Sequence, residues 1–135
     1  MAIQFAVSTR NAGLDAYETE IGVSARLKLR TGAAPADCAT ADSGTVVADL
    51  TLPSDWLAAA SGGAKSKAGT WTDASADNAG TIAHYRIYES TGTTCKVQGT
   101  VTLTGGGGDM TVDNTVVQAA QSITITAYSW TAANA

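Results

Sequence analysis

The chain has 135 residues, 44% of them hydrophobic but only 6% aromatic and 15% charged, and a net charge of −4. A chain of this length suits one domain with its own core. It carries no basic stripe of the kind that displaces counterions from nucleic-acid phosphates or holds an acidic membrane surface. The charged fraction lies below the ~25% of an average globular chain, which suits a solvated Thr/Ser-rich sheet face or burial against other subunits.

Met1–Val7 is apolar for too few residues to form a signal-peptide core and lacks a basic start. No run approaches the ~20 apolar residues of a membrane span, so synthesis in the cytosol is expected. A helix follows, with Ser8 or Thr9 placed to cap it and Gly22 to end it. Leu14, Tyr17 and Ile21 fall on one face with Glu18 as the polar exception. Asp15 and Glu18 sit early enough to favour the helix dipole. One helix of this length is expected to cover an edge or open end of a sheet, or to reach a neighbour.

After Gly22 the period becomes two. Ala25, Leu27 and Leu29 alternate with Arg26, Lys28 and Arg30, a half-buried strand with the three cations facing solvent. Thr31–Gly44 reads as loop, and Thr45–Leu52 as a second strand stopped by Pro53. Trp56 is expected to anchor the next turn. Gly62 and Gly63 mark another turn, and a weak strand runs over Ala64–Asp73 around Trp71. Asp73–Gly80 is turn, and Thr81–Glu89 is the strongest strand, with sizeable side chains on both faces and hence cover on both sides. Ser90–Gly92 turns the chain into a partner strand, Thr93–Thr104. The run Gly105–Gly108 reads as a flexible hairpin loop, since strand rather than a phosphate-cradling helix follows it. Short strands over Asp109–Val112 and after Asn114, then Ser122–Thr131 and a loose tail over Ala132–Ala135, complete the chain.

These elements predict an all-β fold: a jelly roll or β-sandwich of about seven or eight antiparallel strands with one short N-terminal helix. One domain is expected over 1–135, with arm and helix at 1–22, sandwich at 23–131 and tail at 132–135.

No motif for catalysis emerges, and no enzyme activity, metal or cofactor is expected. Asp37, Asp42, Asp73, Asp77, Asp109 and Asp113 sit beside turn-forming residues and read as turn formers. The oxygen-rich stretch Asp73–Asn78 lacks the closing Glu of a calcium loop. His84, the single histidine, lies within a strand, where a packed ring is the expectation. The two cysteines, Cys38 and Cys95, read as free buried thiols in a cytosolic product. A late Cys38–Cys95 disulfide is the alternative. Trp56, Trp71, Trp130, Tyr85, Tyr88 and Tyr128 read as core or subunit contact, with a sugar-stacking face as the alternative.

Several stretches taken together resemble small virion proteins of tailed bacteriophages. They are Arg10–Ala16, Leu27–Ala36, Leu50–Pro53, Tyr85–Ser90, Val97–Val101 and Ser122–Thr126. Among such proteins the chain most resembles the capsid cement, or decoration, proteins of short-tailed phages such as those of Bordetella. That resemblance implies a jelly roll that forms homodimers on the exterior of an icosahedral shell and clamps neighbouring major capsid subunits against the pressure of packaged DNA. The major capsid protein and a second copy are the implied partners, without nucleic acid or membrane. A tail or tail-tip component, and a carbohydrate-binding module that contacts the host surface, are the alternatives.

Overall fold

The structure, a computed structural model, describes residues 2–133. Met1 and the last two residues of the expected tail lie outside the described residues. One helix, α1 (Val7–Ile21), precedes nine strands: β1 (Arg26–Thr31), β2 (Val46–Thr51), β3 (Ala64–Ser66), β4 (Thr72–Asp73), β5 (Gly80–Tyr88), β6 (Cys95–Leu103), β7 (Met110–Val112), β8 (Val116–Val117) and β9 (Ile123–Thr131).

The strands form one curled, mixed sheet, a half-barrel with the order β2-β1-β5-β6-β7-β9-β3. β4 branches onto β9 and β8 onto β5. All the pairings are antiparallel except one, because β6 and β7 run parallel with Val101 beside Met110. An all-antiparallel sheet is therefore not what this sequence builds, and the glycine run is the reason. The chain leaves β6, folds back over Thr102 and re-enters beside β6 in the same direction. The backbone passes so close that a Cβ on Gly106 would lie 2.7 Å from Thr102 Cβ, and one on Gly108 2.9 Å from Thr102 Cγ2. The Gly108 amide donates to Thr102 Oγ1 at 3.0 Å, and Asp109 Oδ2 accepts from the Thr100 amide at 2.9 Å. The run is a hydrogen-bonded return, close-packed at Gly106 and Gly108 and open at Gly105 and Gly107, not a hairpin tip.

The core fills one face of the curl. Leu27, Leu29, Val47, Tyr85, Ile87, Met110, Val112, Ile123 and Ile125 meet the buried indoles of Trp56 and Trp71 there. Trp56 also donates from Nε1 to the Gly22 carbonyl at 3.0 Å, which ties the end of the helix to the core. The alternation of β9 changes phase midway. Ile123 and Ile125 point inward, then Tyr128 does so, because the register against β7 shifts between Thr111 and Val112.

Both ends of the sheet are covered. At β2 the Asp49 amide donates to Asp73 Oδ2 at 3.2 Å, and the Val47 carbonyl accepts from the Asp77 amide at 2.8 Å. At β3 the Ser66 and Ala64 carbonyls accept from the amides of Ala58 and Ser61.

Candidate functional site

Helix α1 begins at Val7 with no side-chain cap and ends at Gly22, whose φ of +94° suits glycine. Leu14 and Ile21 are buried, but Tyr17 from the same predicted stripe is 63% exposed. The helix docks largely through its polar residues. Asn11 Oδ1 accepts from the Gly63 amide at 2.8 Å, Asp15 Oδ1 from the Ala60 amide at 3.1 Å, and Glu18 Oε1 from the Leu57 amide at 3.3 Å. Lys65, buried beneath the helix, closes the contact with Asp15 at 2.6 Å and Glu18 at 2.7 Å. Burial alone would lower the Lys65 pKa, but the two carboxylates outweigh it and raise the value. Asp15 is held below 3.8, first by its hydrogen bond from Lys65. Helix α1 is thus fixed to the body from one side.

The other side of this unit is apolar and open. Ile3 is 75% exposed, Phe5 54% and Val7 46%. Next to the helix runs a groove of about 380 Å³, lined by Leu14, Tyr17, Ile21, Val97 and Trp130, with Glu20 and Lys96 at its rim. The Lys96–Glu20 ion pair, 3.2 Å, bridges helix and sheet across it.

On the sheet face opposite the core lies a second cluster. β1 and β5 place Arg30 beside His84 and Lys28 beside Arg86. The three cations of β1 were expected in solvent, yet Arg30 is buried, because the segment 32–45 folds over this face. Asp42 from that segment is the hub. Its carboxylate meets Arg86 at 2.6 Å and Arg30 at 2.9 Å, and accepts from the Tyr88 hydroxyl at 2.8 Å. Burial would raise the Asp42 pKa, but the Tyr88 and Arg86 hydrogen bonds and the two guanidinium charges hold it below 3.8. Arg86 also donates to the carbonyls of Asp37 at 2.8 Å and Thr40 at 3.0 Å, and Gln98 donates to the Pro35 carbonyl at 2.6 Å. The strand Thr81–Glu89 is covered on both faces, as its side chains predict.

The same segment joins Cys38 to Cys95 in a disulfide, with Cα atoms 5.2 Å apart. Free buried thiols are therefore replaced by the alternative reading, and both residues are only partly buried. His84 packs at 0% exposure with Nδ1 2.6 Å from the Gly32 carbonyl, and no donor or acceptor meets its buried Nε2. Burial, foremost, pushes its pKa below 6.5.

The remaining candidates are structural. Asp73 accepts from the Asp49 and Ser75 amides, and Asn78 Nδ2 donates to the Val46 carbonyl, so the 73–78 stretch ties down β2. Asp113 accepts from the Thr124 amide at 3.0 Å. Glu89 gathers Thr91, Thr93 and Thr94 at its hairpin, which holds its pKa at about 2, the Thr91 hydrogen bond acting first. Among the described residues no group of three or more His, Cys, Asp or Glu side chains could hold a metal ion.

The aromatic rings form a packed chain from Tyr17 through Trp130, Trp56, Trp71 and Tyr128 to Tyr85, with neighbouring centroids 5.3–6.3 Å apart. Tyr128 accepts from Trp130 Nε1 at 2.7 Å and shares a 2.9 Å hydrogen bond with the Tyr85 hydroxyl. Burial pushes the Tyr128 phenol up to about 12. Trp56 and Trp71, at 0% and 1% exposure, present no ring to a sugar.

Sequence reasoning misses Lys65 and the Arg86–Asp42 pair. A signal for the second existed: an arginine midway along the most apolar strand needs a buried partner. No helix among the described residues is long and apolar enough to cross a membrane. Comparison of the chain with protein-family models, curated proteins and solved structures yields no match.

Proposed function

We propose that this chain is a structural, protein-binding domain of a tailed-phage particle, a cement protein that dimerises on the capsid exterior and clamps neighbouring major capsid subunits. The observation that carries the binding role is the arm–helix unit. Ile3, Phe5, Val7 and Tyr17 expose apolar surface on a unit whose opposite side is fixed by Asn11, Asp15, Glu18 and Lys65. Clustered exposed apolar side chains favour a protein contact, and a helix already fixed to the body loses less entropy on binding than a free one. The place on a capsid is supported by the resemblance of the stretches from Arg10–Ala16 to Ser122–Thr126. In the same reading the curled sheet is a jelly roll whose β6–β7 step has become parallel. Net negative charge suits an exterior position away from packaged DNA.

Two measurements test this. Quantitative gels of purified virions should find the chain at on the order of hundreds of copies, as expected of weak contacts multiplied by avidity. A handful of copies would point to the tail instead. Added back to shells lacking it, the full chain should bind to saturation, and a chain deleted for 2–7 should not. Full occupancy by the deleted chain would remove the arm from the contact.

A further inference from the structure

We propose that the Cys38–Cys95 bond is a redox latch: it closes on an already folded domain, opens to small thiols, and sets how firmly segment 32–45 covers Arg30 and Arg86. Such a latch operates wherever the protein resides. Cys38 is positioned by its neighbours. The carbonyls on either side of it, of Asp37 and Thr40, both accept from Arg86 Nη2, at 2.8 and 3.0 Å. Gln98 grips Pro35, His84 meets Gly32, and Asp42 joins Arg30 and Arg86. These contacts use no sulfur. They hold the loop over β5 and β6 and set Cys38 beside Cys95 in the reduced chain as well.

Access is the second observation. A surface cavity of about 380 Å³ opens at the bond, lined by Cys38, Thr40, Asp42, Arg86, Thr94 and Cys95. The cavity is open to solvent, and so to small thiols. Opening runs by two exchanges. A thiolate attacks one sulfur, forms a mixed disulfide and releases the other cysteine as a thiolate. A second thiolate then attacks the mixed disulfide, frees the first cysteine and leaves the reagent as its own disulfide. Closure is the reverse, with a low-molecular-weight disulfide as oxidant. The reducing cytosol keeps thiols apart, so the latch closes once the protein reaches oxidising surroundings. With the latch open, non-covalent contacts alone, those of Arg30, Arg86, Tyr88, Gln98 and His84 among them, resist local opening of the loop.

Hydrogen exchange read by mass spectrometry on the full chain tests this in three forms: oxidised, reduced with dithiothreitol, and C38S/C95S. In the reduced and variant proteins the 32–45 amides should exchange about tenfold faster or more, while those of β1, β5 and β9 stay protected. Oxidised glutathione should restore slow loop exchange to the reduced protein and not to the variant. Reduced glutathione should open the bond without denaturant. The proposal is overturned by any of three results: exchange at unfolded-chain rates throughout β1, β5 and β9 on reduction, loop exchange that does not respond, or a bond that resists thiols until the chain unfolds.

Discussion

Asp42 concentrates more interactions than any other acidic side chain over the outer sheet face. It compensates two guanidiniums that are almost wholly withdrawn from water, with side-chain exposures of 2% for Arg86 and 7% for Arg30. Asp42→Ala should lower stability by about 2–3 kcal/mol in urea titration. That is less than for a fully buried pair, because the Asp42 side chain is 39% exposed and water can partly replace it. Acid should act on the same cluster. His84 faces Arg30 on β1, Arg86 on its own strand and Asp42 on the covering segment. Its folded pKa lies below 6.5, so the native state binds the proton less readily than the unfolded chain. The His84 contribution is therefore complete above pH 6.5 and declines as the pH falls through its depressed folded value. A second loss follows as Asp42, Asp37 and Asp15, all held below 3.8, take up protons. Urea midpoints measured against pH should show both steps for the wild type and only the lower one for His84→Gln. From the sequence, His84 is readable as a packed ring and the aspartates as turn formers. Asp42's second role is not readable, because it depends on a fourteen-residue segment folding over a face that alternation alone assigns to solvent.

At the level of elements, helix α1 shows what periodicity can and cannot convey. Its end at Gly22 is legible, since a glycine after the last turn tolerates the φ found there. Its docking face is not. Hydropathy selects Leu14, Tyr17 and Ile21, but the irregular segment from Leu57 to Gly63 presents backbone amides that need acceptors. Asn11, Asp15 and Glu18, one turn apart, supply them. Lys65→Ala should leave both carboxylates without their cation and loosen the helix, which the three amide hydrogen bonds still hold. A loss of about 2–3 kcal/mol is expected, with the two acids' partial exposure moderating the cost, together with faster exchange of the α1 amides. The strands were legible nearly throughout because period-two alternation marks them. β7 was legible as a strand over Asp109–Val112, but its parallel direction was not, because a run of four glycines permits a close return without specifying direction. The mid-strand phase change of β9 escaped for a similar reason: a register shift obeys the neighbouring strand, not the local pattern.

For the molecule as a whole, one covalent bond spans 57 residues of sequence and links the covering segment to the start of β6. Closing a loop of that size restricts the unfolded chain by an amount worth up to about 4 kcal/mol. Reduced protein should therefore melt well below the oxidised form in calorimetry, and a coincidence of the two melting curves would show that restricting the unfolded chain gives no net stabilisation. The all-β class and the single helix followed from composition and spacing. The strand order did not, since several topologies satisfy the same set of half-buried strands. The covered ends of the sheet carry a consequence of their own. Asp73 and Asp77 at β2, and the 58–61 segment at β3, occupy backbone groups that would otherwise template further strands. These two edges therefore offer few free backbone groups on which a second copy could add a strand.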